Sequence, residues 1–268
     1  MSFVHTLKTP GKHEDELRRF FNDKVSYGGP PIFANPLYCL AFFNRSGSNL
    51  LANYLRGTPF FSGFHEQLNF DTVKKKALQW GCDNFPDYII EATTRFSKGR
   101  FVHGFKASVD QLMMLERFGI PRMYQDGMKI IHITRDDLIG QAISYQIASQ
   151  TKKWSSRQIG IMPEDAVCFD PEKISSLVQA AQYSANAIVM FAEIFDVPRL
   201  HVTYEMLVRN PLGVLEKVAE FTQQDTMEWS VKEPDIERQA SELNDSFRAR
   251  YLDYIQGTVL LHNHRTTL

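Results

Sequence analysis

Short apolar runs alternate along the chain with longer amphipathic segments. Residues 37–43 are apolar throughout, residues 129–134 contain three isoleucines, and both segments have the length of buried strands. Residues 100–106 and 200–203 give two further strand signals. Because helical patterns separate these runs, the chain predicts a mainly parallel sheet that is covered by helices on both faces.

Helical segments show apolar residues at spacings of three and four. The longest begins after Asp170 and Pro171, which are favoured at helix N-termini, and keeps an apolar face as far as Phe195. A second long helix is predicted over residues 236–254. Further amphipathic segments predict helices at residues 13–24, 49–56, 73–80, 85–96, 109–118, 138–150 and 212–221. The aromatic segment 58–68 predicts a loop.

Composition narrows the class of protein. The 268 residues contain 43% hydrophobic side chains and carry a formal net charge of −1, so no electrostatic footprint for nucleic acid or an anionic membrane is present. The three cysteines are far apart, and neither an apolar leader nor an 18-residue apolar run is visible. These features predict a cytoplasmic protein without a membrane-spanning segment, a disulfide framework or a metal site.

The domain organisation follows from the absence of repeats, linkers and low-complexity tracts. Residues 1–35 are expected to form an N-terminal arm and helix. Residues 36–268 are expected to form a single α/β domain with helical insertions.

The first candidate site is the loop between the first strand and the following helix. Small polar residues and one glycine occupy positions 44–48, so we expect the backbone N–H groups of residues 46–50 to converge on one point at the positive end of the helix dipole. Arg45 adds a charge with forked donors. A Walker A motif is excluded because no lysine follows Gly47. The loop alone leaves two readings open, an anion site and an ordinary turn with a solvated arginine.

A second candidate site follows residues 129–134. Arg135 lies at the carboxyl end of this strand, where ligands bind in open α/β sheets, and Ser144 lies in the next helix. If the two strands are neighbours, Arg135 lies near the first loop. The alternative is a solvated pair of Arg135 and Asp136 beside a neutral helical serine.

Several motifs together resemble a known family. Residues 45–51, R-S-G-S-N-L-L, resemble the phosphosulfate loop of sulfotransferases, most closely that of the bacterial trehalose 2-sulfotransferase-like family. Further similar segments follow in the same order at residues 135–144, 204–211 and 238–244. In the second of these segments, a tyrosine and a glutamate usually tie a strand end to a helix.

The resemblance implies the P-loop-like three-layer fold of sulfotransferases that use PAPS (3′-phosphoadenosine 5′-phosphosulfate) as co-substrate and release PAP. By this resemblance the loop holds the 5′-phosphosulfate, while Arg135 and Ser144 hold the 3′-phosphate and Arg238 contacts a nucleotide phosphate. The loop residues implied in binding are Arg45, Ser46, Gly47, Ser48, Asn49 and Leu50.

The resemblance also implies a catalytic pair, with Arg45 beside the transferred group and Glu66 as the base that deprotonates the acceptor hydroxyl. The family pattern G-x-P-x-E is one residue shorter here and lacks its proline. His65 and His103 are therefore the next candidate bases. Lys106 has two readings, a contact to the sulfonate oxygens and a surface lysine at a strand end.

The implied reaction moves a sulfuryl group from PAPS to a hydroxyl of a small carbohydrate or glycolipid acceptor, for which a trehalose-like sugar is one candidate. Two alternatives remain open: a P-loop-type small-molecule kinase and a non-catalytic nucleotide-binding protein on the same fold. The sequence names neither the acceptor nor the oligomeric state, and a homodimer stays open.

Overall fold

The structure is a computed structural model that describes residues 7–97, 102–154, 158–225 and 242–265, with side chains described as far as residue 259. Its strands are β1 (Leu37–Phe42), β2 (Phe61–His65), β3 (Val102–Ala107), β4 (Met128–Thr134) and β5 (Arg199–Thr203). Its helices up to the fourth strand are α1 (Lys12–Phe20), α2 (Ser48–Gly57), α3 (Phe70–Trp80), α4 (Phe85–Ser97) and α5 (Val109–Arg117). Those that follow are α6 (Leu138–Thr151), α7 (Pro171–Ile194), α8 (Tyr204–Arg209), α9 (Pro211–Thr222) and α10 (Glu242–Arg265).

The described strands form one sheet in the order β2-β3-β1-β4-β5, and every neighbouring pair is parallel. The predicted parallel α/β architecture is therefore confirmed. β1 pairs with β3 on one side and with β4 on the other. The chain leaves β1 in one direction through β2 and β3 and then crosses to β4, so the carboxyl end of β1 lies at the point where the strand order reverses.

Both faces of the sheet are buried, which explains the continuous apolar runs of the sequence. Leu37, Cys39 and Ala41 of β1 face a core that also contains α1, α4, α5 and α7. Tyr38, Leu40 and Phe42 face a second core with α2 and α9. A third cluster joins α6, α7 and α10.

Two sequence-based expectations are corrected by the structure. The segment predicted as a loop at residues 58–68 contains the strand β2. The final helix runs past the expected end at Tyr254, while its expected start at residues 236–241 lies outside the described residues. α1 contributes Leu17, which is fully buried, to the core of the sheet domain. Within the part of the chain that the structure describes, no helix has the length and apolarity needed to cross a bilayer.

Candidate active site

Polar side chains gather where the parallel strands end. β1 leads into the loop of residues 43–47, β3 carries Lys106 near its end, and β4 is followed directly by Arg135. The carboxyl ends of parallel strands share one edge of a sheet, which is where ligands bind in open α/β folds. Because β3 and β4 flank β1, the β1 loop has Lys106 on one side and Arg135 on the other.

The loop holds its shape through an obligatory glycine. Gly47 precedes α2 with a φ of 88°, and a Cβ built on it would lie 2.5 Å from Cδ2 of Tyr204. Arg45 also has a left-handed backbone, with a φ of 66°. Among the described residues, no side chain caps the N-terminus of α2, so the first amides of this helix remain suited to an anion.

Ser46 departs in part from the expected geometry. Its backbone N–H donates to the carbonyl oxygen of Phe43 at 3.2 Å, so this amide already has a partner within the loop. Its hydroxyl oxygen is buried and has no hydrogen-bond partner among the described residues. The serine therefore presents its side chain rather than its backbone as the unsatisfied polar group.

Arg45 joins the β1 loop to α6. Its Nε donates to Ser144 Oγ at 2.9 Å, and its NH1 donates to the carbonyl oxygen of Trp154 at 2.9 Å. Burial and the nearby positive charge of Arg135 lower the pKa of Arg45 to about 10. The guanidinium is thus still charged at neutral pH, and the structure brings together the three residues Arg45, Arg135 and Ser144 that the sequence singled out.

Contacts with Tyr204 and Asp137 hold Arg135 in place but do not occupy all of its hydrogen-bond donors. Its guanidinium lies over the ring of Tyr204 at 5.0 Å from the centroid, and NH2 is 3.5 Å from Asp137 Oδ2. Its Nε is buried and has no partner among the described residues. The alternative reading, a solvated pair with Asp136, is not among the ion pairs of the described residues, and Arg135 lies beside Asp137 instead.

Asp137 is a junction at the start of α6. Its carboxylate accepts the Gly140 amide at 3.0 Å, which caps the helix, and the Arg248 guanidinium at 2.7 Å. Partial burial would raise the pKa of Asp137, but these hydrogen bonds and the charge of Arg248 hold it below its ordinary value. Asp137 thereby links Arg135 to the last helix.

Tyr204 and Glu205 fix the strand ends from the other side of the site. Tyr204 fills the space beside Gly47 and lies beneath Arg135. The Glu205 carboxylate accepts the backbone N–H groups of Asp136 and Asp137 at 3.0 and 3.4 Å. The two residues thus tie the end of β5 to the β1 loop and to the end of β4.

Lys106 is the residue whose environment the sequence described least well. Its side chain is only 2% exposed, so the surface reading is wrong. The ammonium donates to Asn49 Oδ1 and Glu66 Oε1, each at 2.7 Å, and lies 4.4 Å from the centroid of the Phe42 ring. Burial lowers the pKa of Lys106, and the adjacent Glu66 carboxylate counteracts part of that effect. The available signal was strand alternation, which places Lys106 on the face covered by α2.

Glu66 lies on the open side of this ion pair. Its side chain is 55% exposed, and no described residue forms a hydrogen bond with Oε2. Of the alternative bases, His103 is buried with its Nδ1 3.4 Å from Ser62 Oγ, and burial lowers its pKa to about 4. His103 also faces the opposite side of the sheet from Lys106, whereas His65 is exposed. Glu66 is the carboxylate that the fold places beside the start of α2.

Two expectations, the role of Arg238 and the absence of a metal site, depend on which residues the structure describes. Arg238 lies outside the described residues. Among the residues that are described, no group of three or more histidine, cysteine, aspartate or glutamate side chains is arranged to hold a metal ion.

Comparison with solved structures finds sulfotransferases among the similar chains. A sulfotransferase from Alicyclobacillus acidocaldarius superimposes with a TM-score of 0.51 at 15% identity, over 82% of this chain and 92% of the other. A sulfotransferase domain from the curacin biosynthetic pathway superimposes with a TM-score of 0.49 at 14% identity, over 81% of this chain and 97% of its own. A sulfotransferase domain from the Synechococcus PCC 7002 olefin synthase superimposes with a TM-score of 0.48 at 17% sequence identity, over 84% of this chain and 91% of its own. No curated protein sequence matches the chain significantly.

The fold is thus the P-loop-like α/β fold of sulfotransferases. The sequence profile described as Stf0 sulphotransferase matches residues 107–253, which is more than half of the chain. The chain belongs to this family, the trehalose 2-sulfotransferase family, and is a sulfotransferase. The resemblance drawn from the motifs is confirmed. The match includes Arg135, Ser144 and Tyr204 but begins after the β1 loop and Glu66, so the roles of those residues depend on the geometry.

Proposed function

We propose that this sulfotransferase moves a sulfuryl group from PAPS to a hydroxyl of a carbohydrate or glycolipid acceptor, with trehalose as the first acceptor to test. The observation that carries the donor assignment is the pair of unsatisfied buried atoms, Arg135 Nε and Ser46 Oγ, beside an uncapped helix N-terminus. An unpaired buried polar group costs about 1–3 kcal/mol. A bound anionic nucleotide would supply the missing acceptors, so the residues present fit PAPS.

The roles proposed for the donor-site residues are supported by their positions. Arg45 and the amides of residues 47–50, with the Ser46 hydroxyl, would hold the 5′-phosphosulfate at the start of α2. Arg135 and Ser144 would hold the 3′-phosphate, because the Ser144 oxygen already accepts from Arg45 and its hydrogen makes no bond to a described residue. Arg238 remains proposed as a further phosphate contact.

The acceptor side is proposed to centre on Glu66. When bound, PAPS supplies the sulfuryl group and a phosphate leaving group. Glu66 would take the proton of the attacking hydroxyl on Oε2 while Lys106 holds Oε1. Arg45 would stabilise the negative charge that develops on the leaving phosphate. These roles account for two cations, Lys106 and Arg45, and one carboxylate at the same edge of the sheet.

The donor assignment is tested by comparing PAP with ATP, which lacks the 3′-phosphate. At a concentration of one hundred times Kd, PAP should stabilise the protein by about 2.7 kcal/mol and raise Tm by about 5–10 °C. Arg135→Ala should remove most of this shift, because the 3′-phosphate loses a charge-assisted partner. Arg209→Ala is the matched control, since Arg209 is exposed at the end of α8. Equal shifts from ATP and PAP would contradict the proposal.

The base assignment has its own test. Glu66→Gln keeps the size of the side chain but cannot accept the proton, so kcat should fall by about 10²–10⁴-fold while PAP affinity changes little. Sulfuryl transfer from radiolabelled PAPS to trehalose measures kcat, and calorimetry measures PAP binding. Normal turnover in this variant would remove Glu66 as base and leave the donor assignment standing.

The two alternatives remain distinguishable by the same measurements. A small-molecule kinase would be stabilised more by ATP with Mg²⁺ than by PAP. A non-catalytic nucleotide-binding protein would bind PAP and transfer no sulfate. The lysine missing after Gly47 and the Arg45–Ser144 contact favour the sulfotransferase reading over the kinase. The exposed Glu66 carboxylate beside Lys106 favours it over a non-catalytic binding protein, which needs no base.

A further inference from the structure

β2 contains an irregularity directly before Glu66. Its pairing with β3 shifts register between Gly63 and His65, which is the pattern of a β-bulge. Gly63 has a φ of 76°, and Phe64 has a φ of 53°. A left-handed backbone is costly for a bulky residue such as phenylalanine and persists only where neighbouring groups enforce it.

Arg56 and Gly104 enforce this conformation from two sides. Arg56, near the end of α2, donates through NH1 to the carbonyl oxygens of Gly63 and Phe64 at 3.4 and 3.3 Å. The Phe64 ring is fully buried and lies against Gly104, where an added Cβ would come within 2.3 Å of a ring carbon. The guanidinium thus bonds the backbone of the bulge, while the ring anchors its side chain.

The bulge decides which way Glu66 points. In a regular strand that starts with Phe61 facing α2, alternation would turn residue 66 to the opposite face, the one that Ser62 and His103 share. The extra residue of the bulge reverses this alternation, so that Phe64 faces the same core as Phe61 and Glu66 meets Lys106.

We propose that Arg56 is a positioning residue for sulfuryl transfer, because it fixes the bulge that turns Glu66 towards Lys106. This inference rests on the proposed role of Glu66 as base. Arg56 acts through the backbone of residues 63 and 64, and its positive charge also helps to lower the pKa of Lys106.

A double-mutant cycle tests this role. The rate is measured as PAP release from PAPS in the presence of trehalose, and KM for PAPS is measured in the same assay. Arg56→Met should lower kcat about 10–100-fold and change KM by less than about twofold, since only the base is displaced. Arg56→Lys should recover part of the rate, because an ammonium can also donate to the two carbonyls. Arg56→Met should have no further effect in a Glu66→Gln background. Arg19→Met, at an exposed site on α1, is the control.

The outcomes separate the two proposals. Losses that multiply in the double variant, or a normal rate for Arg56→Met, would overturn the positioning role while Glu66 stays the base. A normal rate for Glu66→Gln would overturn the base itself. If Arg56→Met does not fold, the same cycle with Arg56→Lys decides. A crystal structure of the Arg56 variant adds a direct readout, since Glu66 Oε1 remaining about 2.7 Å from Lys106 Nζ would also contradict the proposal.

Discussion

Replacing Gly47 with alanine perturbs the centre of the proposed donor site by one methyl group. The backbone at this position has a φ of 88°, which L-residues rarely adopt, and the new Cβ would lie 2.5 Å from a ring carbon of Tyr204. The Tyr204 ring supports Arg135 at 5.0 Å. The substitution should therefore both destabilise the fold and displace a residue proposed to bind the 3′-phosphate.

The expected loss in the free energy of unfolding has two parts. A left-handed conformation costs a residue other than glycine about 1–2 kcal/mol, and overpacking a close contact costs about 1–3 kcal/mol. Together they predict a loss of about 2–5 kcal/mol in the free energy of unfolding. Displacing Arg135 removes a hydrogen bond to a charged group, worth about 1.5–3 kcal/mol, so PAP affinity should fall by about 10–100-fold.

Urea denaturation and calorimetry of PAP binding measure the two effects, and Gly81→Ala provides a matched control. Gly81 has a φ of 70° at the end of α3, but an added Cβ there would meet nothing within 4 Å. The control should lose only the conformational part, about 1–2 kcal/mol, and keep its PAP affinity. Equal destabilisation of the two variants, with PAP binding unchanged in Gly47→Ala, would refute the reasoning.

Two further predictions concern buried ionisable groups. Burial lowers the pKa of His103 to about 4 and that of His132 to about 3, so below the ordinary histidine pKa the unfolded chain binds protons that the folded chain does not. The free energy of unfolding should therefore fall as pH drops from 7 to 5, by about 2 kcal/mol for each histidine. Urea titrations at both pH values measure this loss, and His132→Gln should reduce it by about 2 kcal/mol. An unchanged loss in that variant would speak against the assignment. Lys106→Met should leave the free energy of unfolding within about 1 kcal/mol of its original value, because a desolvated cation is replaced by an apolar side chain and its partner Glu66 is solvated. The same variant should lower kcat, because Glu66 loses the hydrogen-bond donor that orients it. A large loss of stability with normal turnover would reverse this interpretation.

The sequence predicts the parallel sheet and the meeting of Arg45, Arg135 and Ser144 because these depend on simple rules. Apolar runs that are separated by helices imply parallel strands, and parallel strands end at one edge. The burial of Lys106 did not follow from any such rule. Its partners Asn49 and Glu66 come from separate elements, α2 and the end of β2, whose closeness depends on three-dimensional packing.

β2 escaped prediction for a specific physical reason. Phe61 and Phe64 face the same core, yet they are three residues apart, whereas a regular strand repeats every two residues. The bulge at Gly63 and Phe64 accommodates this spacing. A pattern search that assumes strict alternation therefore reads the segment as a loop.

The same bulge has a consequence for solubility. β2 is the outermost strand on its side of the sheet, and an outer strand with free backbone groups is a template for pairing with another chain. Here the strand is five residues long, is kinked by the bulge, and has two of its carbonyl groups bonded to Arg56. Loss of Arg56 would leave these two carbonyl groups of an edge strand without that donor, so we expect Arg56→Met to aggregate more readily than the unchanged protein.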